Sequence, residues 1–374
     1  MKYTALLLLI VILQGCSSNS TSDLTPASGE SIMLKWNKAY ADDTIEKSAL
    51  ALEWALSFAG AMLPNAPMGV EINTNTITIY PAELGLNSDA LLHLKSLHNK
   101  IRLSEEYQIN GTIDMGRYVT LLIGAPEHYY KITGVPQHLN SLISGYTISD
   151  TQGYVNHSGV SLVHRKISFS NPGNLSQVFL AAETDPVTGE IYEYETVEVI
   201  ANGQLRFGIF DSEGNRKNSV DPSYSNAGKP AKCMWCHESN IQGLFSSQDD
   251  FPGYLTYPAL QAKLLEFKQN LIAQRNALTS GVDFSQTQAH TLTELLYISF
   301  MEPSAERLSI EWGMAVGDVQ ALLSGLETHV YDEFPFLGVL YDRNDIESLA
   351  PFTGLQVSTN VREQSATEVN HIDE

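Results

Sequence analysis

Cysteine and positive charge are both scarce in this 374-residue chain. Its three cysteines are Cys16, Cys233 and Cys236, too few for a framework of several disulfides. The 22 Lys and Arg residues are outnumbered by 43 Asp and Glu residues, which gives a formal net charge of −21. A surface of this sign repels nucleic-acid phosphates, so we expect no nucleic acid among the partners.

Long apolar runs are also lacking, apart from one between Ala5 and Leu13. That run follows a charged residue, Lys2, and is too short to span a bilayer, which predicts a signal peptide at residues 1–15. The sequence around Gly15-Cys16 resembles the lipobox of bacterial lipoproteins. The resemblance implies lipidation of Cys16 and, because Ser17 follows it, an outer-membrane location. An ordinary secretory signal with a free Cys16 is the alternative.

The other two cysteines form the most specific motif of the chain, Cys233-Met-Trp-Cys236-His237. C-x-x-C-H is the attachment sequence of c-type haem, in which each thiol adds to one vinyl group and the imidazole binds the iron. Residues 233–237 resemble the bacterial c-type cytochromes. The resemblance implies one covalent haem c on Cys233 and Cys236, with His237 as the proximal iron ligand. Haem attachment of this kind occurs in exported proteins, in agreement with the predicted signal peptide.

The sixth iron ligand separates an electron carrier from a catalyst. Met301 is the first candidate, because thioether ligation raises the haem potential and suits electron transfer. Met314 is the second candidate, and His290 is the third. An open or water-bound sixth position is the alternative, and it would allow peroxide, CO or NO to bind.

The hydrophobic pattern predicts an α+β fold with an α-rich N-terminal block, an antiparallel β-meander and an α-helical haem-c block. Apolar residues at helical spacing predict helices at residues 45–59, 89–103, 114–130 and 258–271, and residues 70–72 and 77–79 predict a hairpin. The predicted regions are a flexible tether (16–31), an α-rich domain (32–134), an antiparallel β region (135–218), a helical haem-binding region (219–345) and an acidic, disordered tail (346–374).

Two features of the β region bear on function. Tyr192 and Tyr194 alternate with Glu193 and Glu195, which predicts a strand with one face in water. A strand at residues 205–210, followed by a turn and then C-x-x-C-H, resembles the β-sheet cytochromes that oxidise hydroxylamine. In those proteins the haem is also cross-linked to a lysine, which we cannot assign in this sequence.

Three hypotheses about function follow. The first is a membrane-tethered monohaem c-type cytochrome-like lipoprotein that transfers electrons to a periplasmic or membrane redox partner. The second is a haem enzyme or gas sensor with an open sixth coordination site. The third is a haem-free lipoprotein in which the C-x-x-C pair acts as a redox dithiol or binds zinc. All three predict a protein of the bacterial cell envelope, held at the membrane by its N-terminal lipid alone and facing the periplasm or the cell surface.

Overall fold

The computed structural model describes residues 31–63, 69–278 and 281–373. Within these ranges the chain forms twelve α-helices and two β-sheets, which confirms the α+β prediction. The predicted signal peptide, Cys16 and almost all of the predicted tether lie outside the described residues. In the described part of the chain, none of the helices combines the length and the apolar content that a membrane span requires.

The first part of the chain combines a four-stranded sheet with six helices. The strands are β1 (Ile32–Lys35), β2 (Val70–Ile72), β3 (Thr76–Ile79) and β4 (Ile113–Asp114). The helices are α1 (Ile45–Phe58), α2 (Ser88–Leu103), α3 (Glu105–Asn110), α4 (Met115–Val119), α5 (Pro126–Thr133) and α6 (Leu139–Ile143). The sheet order is β2-β3-β1-β4, with β1 antiparallel to β3 and parallel to β4. The predicted hairpin is confirmed as the β2–β3 pair.

A five-stranded antiparallel sheet follows, and it confirms the predicted β-meander. Its strands are β5 (Gly153–Val155), β6 (His164–Phe169), β7 (Gln177–Thr184), β8 (Ile191–Val199) and β9 (Leu205–Asp211). Each strand pairs with the next along the chain. Gly189 and Gly203 in the connecting turns have φ values of 73° and 81°, a left-handed conformation that glycine adopts without steric cost. The β-branched and apolar residues of Val160-Ser-Leu-Val163 also predict a strand, but none forms there, and of these residues only Ser161 forms a bridge, with Ser225.

Six further helices complete the described fold. They are α7 (Pro230–His237), α8 (Tyr257–Asn276), α9 (Ala289–Met301), α10 (Ala305–Trp312), α11 (Val316–Leu322) and α12 (Arg343–Ile346). Helix α8 packs across the meander, where the Phe267 ring lies 5.2 Å from Phe169 and 5.3 Å from Phe179 between centroids. This arrangement leaves room between α7, α8 and the sheet.

One hydrophobic core runs through all three predicted blocks, from Ile32 to Val361. Helix α1 packs on α9, and α7 packs on both β9 and α9. The blocks therefore differ in secondary structure but share a common interior. A smaller apolar cluster lies among α10, α11 and α12, around Leu308 and Trp312.

The C-terminal segment from residue 350 to 373 contains no helix or strand, yet it is packed against the body. Val357, Val361 and Val369 are buried. Lys229, at the start of α7, is also fully buried, and its Nζ donates a 2.6 Å hydrogen bond to the Asn360 carbonyl. The acidic composition predicts a disordered tail here, but backbone and ion-pair contacts to the body hold the segment in place.

Candidate functional site

The C-x-x-C-H motif forms the last five residues of α7. Pro230 begins the helix at a position where its missing N–H leaves no hydrogen bond unmade. The helix ends sharply, because Glu238 and Ser239 both adopt left-handed conformations with φ values of 48° and 61°. Such a conformation costs a non-glycine residue about 1–3 kcal/mol, and strain of this kind concentrates at functional sites. It turns the chain directly after His237 into the loop at residues 239–245.

The His237 side chain borders a cavity of about 100 Å³ between α7, α8 and the meander, and this cavity is open to solvent. The walls are mostly apolar, with contributions from the sheet and from α8: Ile167, Phe179, Ala181, Val197, Leu260 and Leu264. The loop that follows His237 closes one side through Leu244 and Phe245.

Strand alternation explains why these sheet residues share one face. Ile167 on β6 lies opposite Ala181 on β7, which in turn lies opposite Glu195 on β8. In the next row Phe179 lies opposite Val197. Because successive side chains on a strand point to opposite faces, every second residue lines the cavity.

His237 is a neutral imidazole at physiological pH. Burial lowers its pKa to about 4, and a contact with the backbone of Asn240 opposes this only in part. The ring lies 5.6 Å from the Phe207 ring between centroids, and its Nδ1 is buried without a hydrogen bond of regular geometry. The neutral form is the one in which histidine binds metals, so the ring is ready to serve as a ligand.

The two motif cysteines are free thiols with raised pKa values. Burial raises the pKa of Cys233 well above its ordinary value, and the nearby Glu195 charge raises it further. Burial also raises the pKa of Cys236, against the opposing charges of Lys232 and Arg362. A reactive dithiol needs a lowered pKa, because the thiolate is the nucleophile. The environment of these thiols therefore disfavours a redox dithiol.

A zinc site is not assembled either. Within residues 31–63, 69–278 and 281–373, no group of three or more His, Cys, Asp or Glu side chains is close enough to hold a metal ion. Glu195 and Arg165 are among the charged neighbours of Cys233, whereas Cys236 is surrounded by Lys232, Arg362 and Glu294. The motif thus lacks a fourth donor of the kind that zinc requires.

The three candidates for the sixth ligand lie away from the His237 cavity. Met301 lines a different cavity, beside Asn360 and Arg362. His290 lines a third one, and its Nε2 lies 3.5 Å from a carboxylate oxygen of Glu238. Met314 packs against the cluster formed by α10, α11 and α12. Among the described residues that line the His237 cavity there is no methionine and no second histidine.

The polar end of the cavity was not predicted from the sequence. Arg165 and Glu195 line it, and the guanidinium donates hydrogen bonds of 3.0 and 3.1 Å to the two carboxylate oxygens. The prediction that the Glu193 and Glu195 face of β8 lies in water is wrong. Glu193 is fully buried, and Glu195 lines the cavity. On the opposite face, the Tyr192 ring stacks on Tyr224. The side chains of β8 alternate between two faces as expected. Because glutamate is seldom buried unless it is paired, the sequence alone predicts that the face carrying Glu193 and Glu195 is exposed to solvent.

The lysine expected from the hydroxylamine-oxidising cytochromes has no counterpart among the described residues that line the cavity. Comparison with protein-family models, with curated proteins and with solved structures finds no match for this chain.

Proposed function

We propose that this chain is an exported haem c protein in which Cys233 and Cys236 attach the haem and His237 binds the iron. The observation that carries the proposal is the position of His237, because a motif identified from sequence ends in a ring that borders a mostly apolar cavity. Such a cavity suits the apolar face of a porphyrin, since removing apolar surface from water is favourable. Haem supplies one-electron chemistry and, where a coordination position is open, binds small ligands.

The fit of this chain to the group rests on three properties of its own residues. His237 is neutral and faces the cavity, as an iron ligand must be. The thiols of Cys233 and Cys236 are free and stand at i and i+3 of one helix, next to that histidine. The walls of the cavity are mostly apolar, as the face of a porphyrin requires.

The side chains facing His237 favour an open iron over a six-coordinate electron carrier. Thioether or imidazole ligation needs a methionine or a second histidine, and the described cavity lining holds neither. It holds instead the ion-paired Arg165 and Glu195, which can hydrogen-bond a small polar ligand. We therefore place the haem enzyme or gas sensor first.

Electron transfer in the periplasm is the second candidate function. The net charge of −21 favours a cationic redox partner, because long-range attraction raises the rate of encounter. Under either function, lipidation of Cys16 would hold the protein in the bacterial cell envelope, at the outer membrane, with no other attachment to the bilayer.

Carbon monoxide distinguishes the two functions. We expect the reduced protein to bind CO with a shift of its Soret band, because no strong sixth ligand must be displaced. Met301→Ala should leave both the spectrum and the CO shift unchanged, since Met301 lines another cavity. A spectrum that does not respond to CO in the parent, together with a changed spectrum in Met301→Ala, would contradict the open site and establish the electron carrier.

Filling the cavity should prevent haem incorporation. Ala181 projects from the middle of the meander into the cavity, so Ala181→Phe places a ring where the porphyrin would lie. We expect the haem content per chain to fall severalfold. Leu180→Phe is the matched control, because the neighbouring residue on the same strand points to the opposite face. Equal haem content in the two variants would place the haem elsewhere.

A further inference from the structure

Three glutamates lie side by side on the cavity face of the meander. Glu183 on β7 lies directly opposite Glu193 on β8, and Glu195 follows two residues later on the same face. Glu183 and Glu193 are fully buried, while Glu195 lines the cavity. Like charges placed directly opposite each other on neighbouring strands destabilise a sheet, so this arrangement needs compensation.

Two cations compensate these three carboxylates. Arg165 on β6 bridges Glu183 and Glu195, with its Nε 2.5 Å from Glu183 and its guanidinium 3.0 Å from Glu195. Lys217 lies 3.0 Å from Glu193. The neutral donors Ser161 and Ser225 and the backbone N–H of Asp221 complete the cluster, and the Cys233 thiol of α7 is nearby.

The cluster carries one more carboxylate than it has cations, and Glu183 and Glu193 are fully buried. A buried carboxylate without its own counter-ion binds a proton rather than remain charged. Burial raises the pKa of Glu183 and of Glu193, and Arg165 and Lys217 oppose this only in part. One oxygen of Glu193, Oε1, is buried without a hydrogen-bond partner, an environment that favours a neutral carboxyl group over a carboxylate.

We propose that the Glu183–Glu193 pair holds one exchangeable proton, and that this proton responds to the charge of the group bound beside His237. The inference rests on the proposed haem function. One electron supplied by an external one-electron donor adds negative charge next to Glu195 and Arg165. The added charge would raise the affinity of the carboxylate pair for this proton, which exchanges with solvent, so that reduction is accompanied by uptake of as much as one proton and the added charge is offset. Reoxidation releases the electron to an acceptor and the proton to solvent.

Ion pairs connect the cluster with solvent at one end and with the cavity at the other. Lys217 is 31% exposed and contacts Glu193, which connects the pair with solvent. Arg165 contacts Glu183 on one side and Glu195 on the other, which connects the pair with the cavity. The proton therefore lies between the surface and the cavity, where it can sense a change of charge without direct contact.

The midpoint potential of the intact haem protein tests the coupling. We expect the potential to fall as pH rises through the neutral and mildly alkaline range, with a slope that approaches about 59 mV per pH unit for one proton per electron. Glu183→Gln should flatten the slope, and so should Glu193→Gln, which removes the same proton from the opposite strand. Glu198→Gln is the control, because this buried glutamate of β8 pairs with Arg206 on the other face. A flat slope in the parent, or an unchanged slope in both variants, overturns the inference.

Infrared spectroscopy gives a readout that does not depend on haem. A protonated carboxyl group should contribute a C=O band in the parent that disappears as pH is raised, and the band should be missing in Glu183→Gln. If the protein binds haem but lacks this band, the exchangeable proton on the Glu183–Glu193 pair is refuted, while the proposed haem function is unaffected. A protein that shows the band but binds no haem refutes the proposed function and the coupling with it.

Discussion

Replacing Cys233 and Cys236 together with alanine should abolish covalent haem. The two thiols are the proposed points of attachment, and His237 alone offers a single coordinate bond. After denaturation, the parent should retain haem on the polypeptide, while the double variant should lose it, as measured by intact mass and by haem staining of a denaturing gel. The variant should also melt at a lower temperature, because a bound group stabilises the folded state and fills the cavity beside α8.

The third cysteine provides the control for this experiment. Cys16→Ser should remove the lipid and release the protein from the membrane fraction, while the haem remains attached. The two substitutions thus affect different properties: location in one case and cofactor in the other. A Cys233→Ala, Cys236→Ala variant with the absorbance and melting temperature of its parent would refute the haem assignment.

The second large effect is expected at Glu311, in a buried network far from the motif. Its carboxylate accepts hydrogen bonds of 2.8 and 2.9 Å from Arg343 and a further one from Arg307. These arginines and Arg117 also surround the Phe300 ring, with guanidinium carbons 4.1 to 5.8 Å from its centroid. Glu311→Ala removes the carboxylate that Arg343 and Arg307 share, so that these two buried guanidinium groups lose an ion-pair partner. We expect it to lower the free energy of unfolding by about 3–5 kcal/mol.

The same carboxylate should make stability depend on acid. Burial by itself would raise the pKa of Glu311, but the charges of Arg343 and Arg307 overcome this and lower it from 4.5 to about 2. A group with a lowered pKa in the folded state binds its proton more readily when unfolded. Its contribution is therefore complete above pH 4.5 and is lost as pH falls toward 2. Glu311→Ala should flatten this part of the stability profile.

Chemical denaturation of the variant and its control measures both effects. Glu306→Ala is the control, since this glutamate lies on the exposed side of the same helix, α10. Exposed substitutions of this kind change stability by less than about 0.5 kcal/mol. If Glu311→Ala unfolds at the same denaturant concentration as Glu306→Ala, the network does not stabilise the fold.

The sequence predicts the elements with strong periodicity and misses those held by distant contacts. Helices α1, α2 and α8 and the strands β7, β8 and β9 of the meander have clear apolar patterns, and each lies where the pattern indicates. The short strands β1 and β4 have too few residues to show alternation, and β4 forms by pairing with β1 far back along the chain. The sequence Thr291-Leu-Thr-Glu294 predicts a capping box at the start of a helix. That prediction is wrong, because α9 begins earlier, at Ala289, and Thr293 bonds to the Ala51 carbonyl of α1.

In the candidate site, too, the sequence predicts the local motif and misses the residues that distant contacts bring to it. The motif identifies Cys233, Cys236 and His237 without any structure, because its spacing is specific. The other wall of the cavity depends on which face of β8 is buried, and Glu193 and Glu195 give the opposite indication when they are considered without Arg165 and Lys217. Met301 was chosen for its chemistry and its position after a helix, but tertiary packing directs it into another cavity. Its role as an iron ligand stays a prediction.

A pyridine haemochrome spectrum tests the central claim most directly. The protein should be exported in a bacterial host with an active cytochrome c maturation system, purified and assayed for haem per chain. The account predicts a c-type spectrum with one haem per polypeptide, which stays with the protein after acid–acetone extraction. A preparation without a haem band, from a host that matures a control cytochrome c at the same time, would contradict it.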